Sequence, residues 1–165
     1  MQTYEHFEWT SAEELARLAG GETPWEYYEQ TAVYFDVPGA SGRVVPMSDA
    51  GGDAESLPLG PLHVVTAVQP GGDPASTDSA ARLAVLDREL CAAGIRSVHS
   101  VGSSLDGEHA EESRAIFGLS DQQVRELGLR FGQVAVFAWR GPRWSLLSCA
   151  TDRQTHLGWK WIAAD

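Results

Sequence analysis

The residues best suited to chemistry begin with a strand–turn–helix passage. It runs Thr66-Ala67-Val68-Gln69-Pro70, then Ser76-Thr77-Asp78-Ser79, then Arg82. A helix N-terminus presents unpaired N–H groups and the positive end of a dipole. Ser76, Thr77 and Ser79 add hydroxyls, and Arg82 adds a charge within one turn. Such a set could hold a carboxylate or a phosphate. The spacing differs from the GxxxxGK[ST] phosphate loop, and the same residues also describe an ordinary capped helix after a turn.

A second group is His109-Ala110-Glu111-Glu112-Ser113. His109 and Glu112 are three apart and could share a metal on a helix. No matching pair accompanies His6, His63, His99 or His156, so no metal site is expected. Glu112 is the candidate catalytic base, with an ion pair to Arg82 or Arg114 as the alternative. Gln133 opens an apolar strand, where its amide either pairs with backbone or reaches into a cleft. Trp159 and Trp161 fall on one face of a terminal strand and could stack a planar ligand or fill a core. The chain has no GxSxG elbow, no supported Ser/His/Asp order and no dinucleotide fingerprint, so no cofactor is expected.

These side chains must be positioned by a short series of elements. Ser11-Ala12-Glu13-Glu14 has capping-box spacing and predicts a helix from about Ala12 to Leu18, and Pro24-Trp25-Glu26 opens another turn. Thr31 to Val37 predicts a strand, and Arg43 to Met47, with its proline, an edge strand at best. Ser48 to Gly60 predicts a loop. Leu62 to Val68 and Gln133 to Trp139 are apolar on both faces, as in central strands. Between them lie a helix from Ser76 or Thr77 to about Ala93, with Gly94 beyond its end, strands near 95–101 and 113–119, and a helix opened by Ser120-Asp121-Gln122-Gln123. Arg140-Gly141-Pro142-Arg143 predicts a hairpin into Trp144 to Cys149, and Leu157 to Ile162 a last strand. The order from residue 62 is β-α-β-β-α-β-β. The expected fold class is α/β (α+β): a single domain over 1–165 with a mixed, mostly buried sheet, two main helices packed on it and an N-terminal helical and strand extension.

The chain has 165 residues and a net charge of −11. That charge argues against a nucleic-acid partner, whose phosphates need a Lys/Arg surface. No apolar run approaches a membrane span, and the first residues carry no secretory signal, so a cytoplasmic location is expected. Cys91 and Cys149 lie in no CxxC or Cys/His cluster and read as buried thiols. The acid is concentrated early: residues 1–60 hold eleven acids against two bases, and 8 of the 15 aromatic residues. An extension so aromatic is expected to pack on the 62–149 core; a docking surface for a protein partner is the alternative.

Several separated motifs occur in a familiar order. Val65-Thr66-Ala67-x-Gln69-Pro70, Arg82, Gly102, Glu112, Gly118 and Phe131-Gly132-Gln133-x-Ala135 together resemble a bacterial family known only as domain of unknown function 3293. The resemblance covers about residues 62–149. Where the family has asparagine, this chain has Gln69, Ser79 and Val134, and His109 lies near the family's tryptophan. The resemblance implies no activity. It implies that Thr66, Gln69, Arg82, Glu112, Ser113 and Gln133 converge in space. The functional expectation is binding, with transformation open, of a small anionic metabolite in a polar pocket without metal. The alternative is an interaction module that uses residues 1–60.

Overall fold

Alternation along the strands decides the architecture. The computed structural model describes residues 1–48 and 59–165. The described residues form eight strands: β1 (Ala32–Phe35), β2 (Gly42–Met47), β3 (Leu62–Val65), β4 (Ser97–Ser103), β5 (Ala110–Ile116), β6 (Ala135–Arg140), β7 (Arg143–Ser148) and β8 (Gln154–Ala163). Every pairing is antiparallel, and the ring closes in the order β1-β2-β8-β7-β6-β3-β5-β4. Successive side chains on a strand point to opposite faces, so one set from each strand lines the barrel interior. That set includes Val33, Phe35, Val44, Leu62, Val64, Ala115, Trp139, Trp144 and Trp159, in one packed cluster.

This corrects the expected α/β sheet with two main helices packed on it. Strands apolar on both faces suggest a sheet covered on both sides. Their inner face is instead the barrel interior. Their outer face carries helices α3 (Thr77–Ala92) and α4 (Asp121–Arg130), through Leu83, Leu86, Leu90 and Val124 against Val65, Val136, Ala138 and Leu147. β2, expected at an edge because of Pro46, pairs with both β1 and β8, and Pro46 lies opposite Trp159. The N-terminal segment is likewise no mere extension, since β1 and β2 are staves of the barrel. Of the expected loop over 48–60, residues 49–58 lie outside the described residues.

One end of the barrel is closed by the two N-terminal helices, α1 (Ala12–Ala19) and α2 (Trp25–Glu29). Ser11 caps α1 by accepting from the Glu14 N–H, as its spacing predicts. Leu15, Ala19 and Trp25 pack on Val134 and Leu146, and the Trp25 indole donates to Thr155 Oγ1 at 3.0 Å. No helix among the described residues is long and apolar enough to cross a membrane.

Candidate functional site

The strand–turn–helix passage meets the start of β6 on the outside of the barrel. Gln69 uses its whole amide there. Its Nε2 donates to the carbonyls of Ala67 (3.0 Å) and Phe131 (2.8 Å), and its Oε1 accepts from the Thr10 N–H and hydroxyl, both at 2.9 Å. Gly132 is tied to this contact: its φ is +70°, and a Cβ there would collide with the Gln69 amide. Gln133 is buried and donates to the carbonyls of Val68 and Phe131, each at 3.0 Å.

Arg82 is 12% exposed at its side chain and binds inward, toward the N-terminal segment. Its guanidinium donates to Asp78 and to the Glu8 carbonyl, both at 2.7 Å, and lies over the rings of Phe7 and Trp9. Trp9 and Tyr4 then pack on Phe131, and the Tyr4 hydroxyl donates to the Arg130 carbonyl at 2.6 Å. The helix start is capped within the chain: Ser76 accepts from the Ser79 N–H, and the Ser79 hydroxyl donates to the Asp73 carbonyl.

Gln69, Arg82 and Gln133 are thus brought together, with residues 4–10 laid over Gln69 and Arg82. Thr66 is joined to β5, where its hydroxyl donates to the Glu112 carbonyl at 2.7 Å. The Glu112 carboxylate faces away. It is 53% exposed on the outer surface and pairs with His99 at 2.6 Å. Ser113 is buried, on the opposite face of β5, and donates to the Glu111 carbonyl. His109 and Glu112 lie on no common helix, since residues 110–116 form β5, and His109 turns to Glu111 at 3.2 Å. No group of metal-ligating side chains forms among the described residues.

A different kind of polar chemistry lies inside the barrel. Ser100 is 0% exposed and its hydroxyl has no hydrogen-bond partner among the described residues; the indole N–H groups of Trp139 and Trp144, fully buried, have none there either. Phe35 links them, opposite Ser100 in the sheet and 6.0 Å from the Trp139 ring, which is 6.0 Å from that of Trp144. Trp159 avoids this condition by donating to the Gly141 carbonyl at 2.8 Å. Burying such a group without a partner costs about 1–3 kcal/mol. The edge-on contacts of Trp139 with Trp144 and Trp159 offer at most a weak N–H to ring interaction. A fourth unpartnered atom, Glu89 Oε2, belongs to outer helix α3, and its sister oxygen is held by Arg130.

The inner wall is uneven. Across β6, β7 and β8 it is aromatic: Phe137, Trp139, Trp144, Trp159 and Trp161. Across β4 and β5 it is small and polar, with Ser100 opposite Ser113 and Gly102 opposite Glu111. A Cβ on Gly102 would point toward the Ser113 hydroxyl and the Thr31 methyl without collision. Burial pushes the Glu111 carboxyl up, and its bond to His109 pulls the other way.

Residues 65–136 match DUF3293, a protein family of unknown function. No curated protein and no solved structure matches the chain. The resemblance carried by Thr66, Gln69, Arg82 and the Phe131-Gly132-Gln133 run therefore holds over the stretch from β3 to the start of β6. The DUF3293 segment supplies Ser100, Glu111 and Ser113 to the barrel interior, while Trp139 and Trp144 lie just beyond it. Sequence reasoning singled out Trp159 and Trp161 but missed Ser100, Trp139 and Trp144. The available signal was four tryptophans at 139, 144, 159 and 161 in the last quarter of a 165-residue chain.

Proposed function

We propose that this protein binds a small molecule, and that the site is the aromatic interior of the barrel. The observation that carries the reading is the set of three buried polar atoms without partners, Ser100 Oγ, Trp139 Nε1 and Trp144 Nε1. Native interiors rarely leave such groups unmet, and a ligand or an ordered water that accepts from the indoles would meet them. Eight-stranded barrels are of the size that either fills with side chains or holds one small ligand. The small-molecule expectation from the sequence is kept, and its place moves. Arg82, on which an anion site was built, already has Asp78, the Glu8 carbonyl and two aromatic faces.

The test is a screen of small aromatic and heteroaromatic compounds, read by tryptophan fluorescence and by the melting temperature. A ligand at a hundred times its Kd stabilises the native state by about 2.7 kcal/mol. Binding is expected to change the fluorescence of wild type and to weaken in Trp139→Phe and Ser100→Ala. Arg82→Ala is expected to bind as wild type does. Ligands that shift the protein but lose affinity only in Arg82→Ala would return the site to the outer face.

A further inference from the structure

We infer that the ligand of the barrel is a small uncharged aromatic compound whose hydrogen-bond acceptors, a carbonyl oxygen or a ring nitrogen, meet the indoles of Trp139 and Trp144. The inference rests on the barrel reading above and adds the ligand's polarity and charge. An indole N–H donates and cannot accept. Two spare donors in the inner wall therefore call for acceptor atoms. Other polar groups of the wall are engaged: Trp159 donates to the Gly141 carbonyl, Thr155 Oγ1 accepts from Trp25 at 3.0 Å, and the Ser113 hydroxyl donates to the Glu111 carbonyl at 3.1 Å. The rings of Trp139 and Trp144 are held by their faces. Trp139 stacks on Phe35 at 6.0 Å and on Trp161 at 5.8 Å, and Trp144 stacks on Phe137 at 5.1 Å. An indole N–H lies at the ring edge, in the ring plane, so stacking leaves the donor free.

Both signs of charge are disfavoured there. A buried anion needs a cation beside it. The lysine and arginines of the described strands all alternate outward: Arg43 lies over Tyr34, Arg114 is bound by Asp87, Arg140 is paired with Arg143 in line with outward Ala138 and Ser145, and Lys160 sits opposite Val45. A cation needs acceptors, and the indoles offer none. The inward carboxylate, Glu111, is 29% exposed and already meets His109. A neutral ligand fits what remains. Ser100, fully buried opposite Phe35, has a hydroxyl that turns to donate or to accept, so it matches a second acceptor or a single donor on the same molecule. Ring order places the two kinds of wall across from each other. β7 stands four strands from β4, and β8 four from β5. Ser100, Gly102, Ser113 and Ala115 thus set the smallest inner side chains opposite Trp144 and Trp159. A flat ring seated against the small wall directs its acceptors at the indoles.

Four probes share a phenyl ring with a short branch and differ in polarity. Acetophenone offers a neutral acceptor, ethylbenzene none, benzoate a negative charge and 1-phenylethylamine a positive one. Calorimetry on the full chain at pH 7.5 is expected to give acetophenone an affinity about tenfold above that of ethylbenzene, the scale of one hydrogen bond from a buried donor, with both ions weaker than acetophenone. Trp139→Phe and Trp144→Phe each keep a ring and lose the donor. The lost volume acts on both neutral probes alike, so the quantity to read is the ratio of their affinities, which is expected to fall toward unity in at least one variant. Wild type supplies a readout that needs no variant to fold: indole N–H proton resonances are expected to move downfield with acetophenone and not with ethylbenzene. A ratio near unity in wild type, a ratio unchanged in both variants, or no downfield shift overturns the acceptor claim and leaves the barrel site standing. Tightest binding by benzoate or by 1-phenylethylamine overturns the claim of neutrality. Binding by none of the four overturns the inference; the barrel reading then falls only if the wider screen is also empty.

Discussion

Gln69 and Ser100 are both polar groups set among apolar neighbours, and they are treated in opposite ways. The Gln69 amide meets four partners in Ala67, Phe131 and Thr10, and no position is left for a guest. The Ser100 hydroxyl, with the indoles of Trp139 and Trp144, meets none among the described residues. The outer cluster is therefore a fastening that holds residues 4–10 against β3, α3 and the start of β6. The inner cluster is the site we propose for a ligand. A satisfied polar network contributes to a unique fold, whereas an unsatisfied one is a local cost that function can explain.

The largest effect that would sharpen this contrast comes from the plug. Trp25 is fully buried across one end of the barrel. Trp25→Ala is expected to cost about 3–5 kcal/mol in urea unfolding, since it removes a large packed side chain and a hydrogen bond. Next comes the fastening. Arg82→Ala should cost about 1.5–3 kcal/mol, the scale of hydrogen bonds from a charged donor. Hydrogen exchange should rise over residues 4–10 and stay unchanged over β4 and β5. Exchange that rises in the barrel instead would mean that the two regions are one cooperative unit.

Much of this frame was legible in the chain. Ser120 and Gln123 form the expected capping box, and α3 ends before Gly94 as its pattern required. The strand segments were found nearly where they lie. Closure was not legible, because the partners that complete the ring are distant in sequence: Val33 meets Gly102, and Val44 meets Trp161. Nothing local in a strand states which neighbour it will take. β4 hid its role for a further reason. Its inner face carries Val98, Ser100 and Gly102 while Val101 faces out, so the usual apolar alternation is missing along this strand. Glu112, the base singled out in the sequence, is turned outward to His99 by strand alternation.

Smaller effects come from single polar atoms. Ser100→Ala is expected to leave the free protein as stable or to stabilise it by about 1 kcal/mol, since it deletes an unmet hydroxyl. The equivalent deletion in the fastening, Gln69→Ala, is expected to destabilise. If both variants destabilise alike, the contrast between the regions fails. The pH profile adds a modest term. His63 is buried against α4, where it meets Asp121 at 2.7 Å with Arg140 near that carboxylate. Burial holds its imidazole below its usual range in spite of Asp121. The unfolded chain then takes up a proton before the native one does, so stability is full above about pH 6.5 and falls as the pH drops below it. His63→Gln should flatten that slope in denaturation midpoints recorded from pH 7.5 down to 5.

The most direct measurement is a high-resolution crystal structure of the protein with the tightest-binding compound of the aromatic and heteroaromatic screen. The account predicts that the molecule lies inside the ring, with an acceptor atom in hydrogen-bond reach of the Trp139 or Trp144 indole N–H and a polar end toward Ser100. A dry interior, or isolated waters there with the compound bound on the outer face near Arg82, would contradict it.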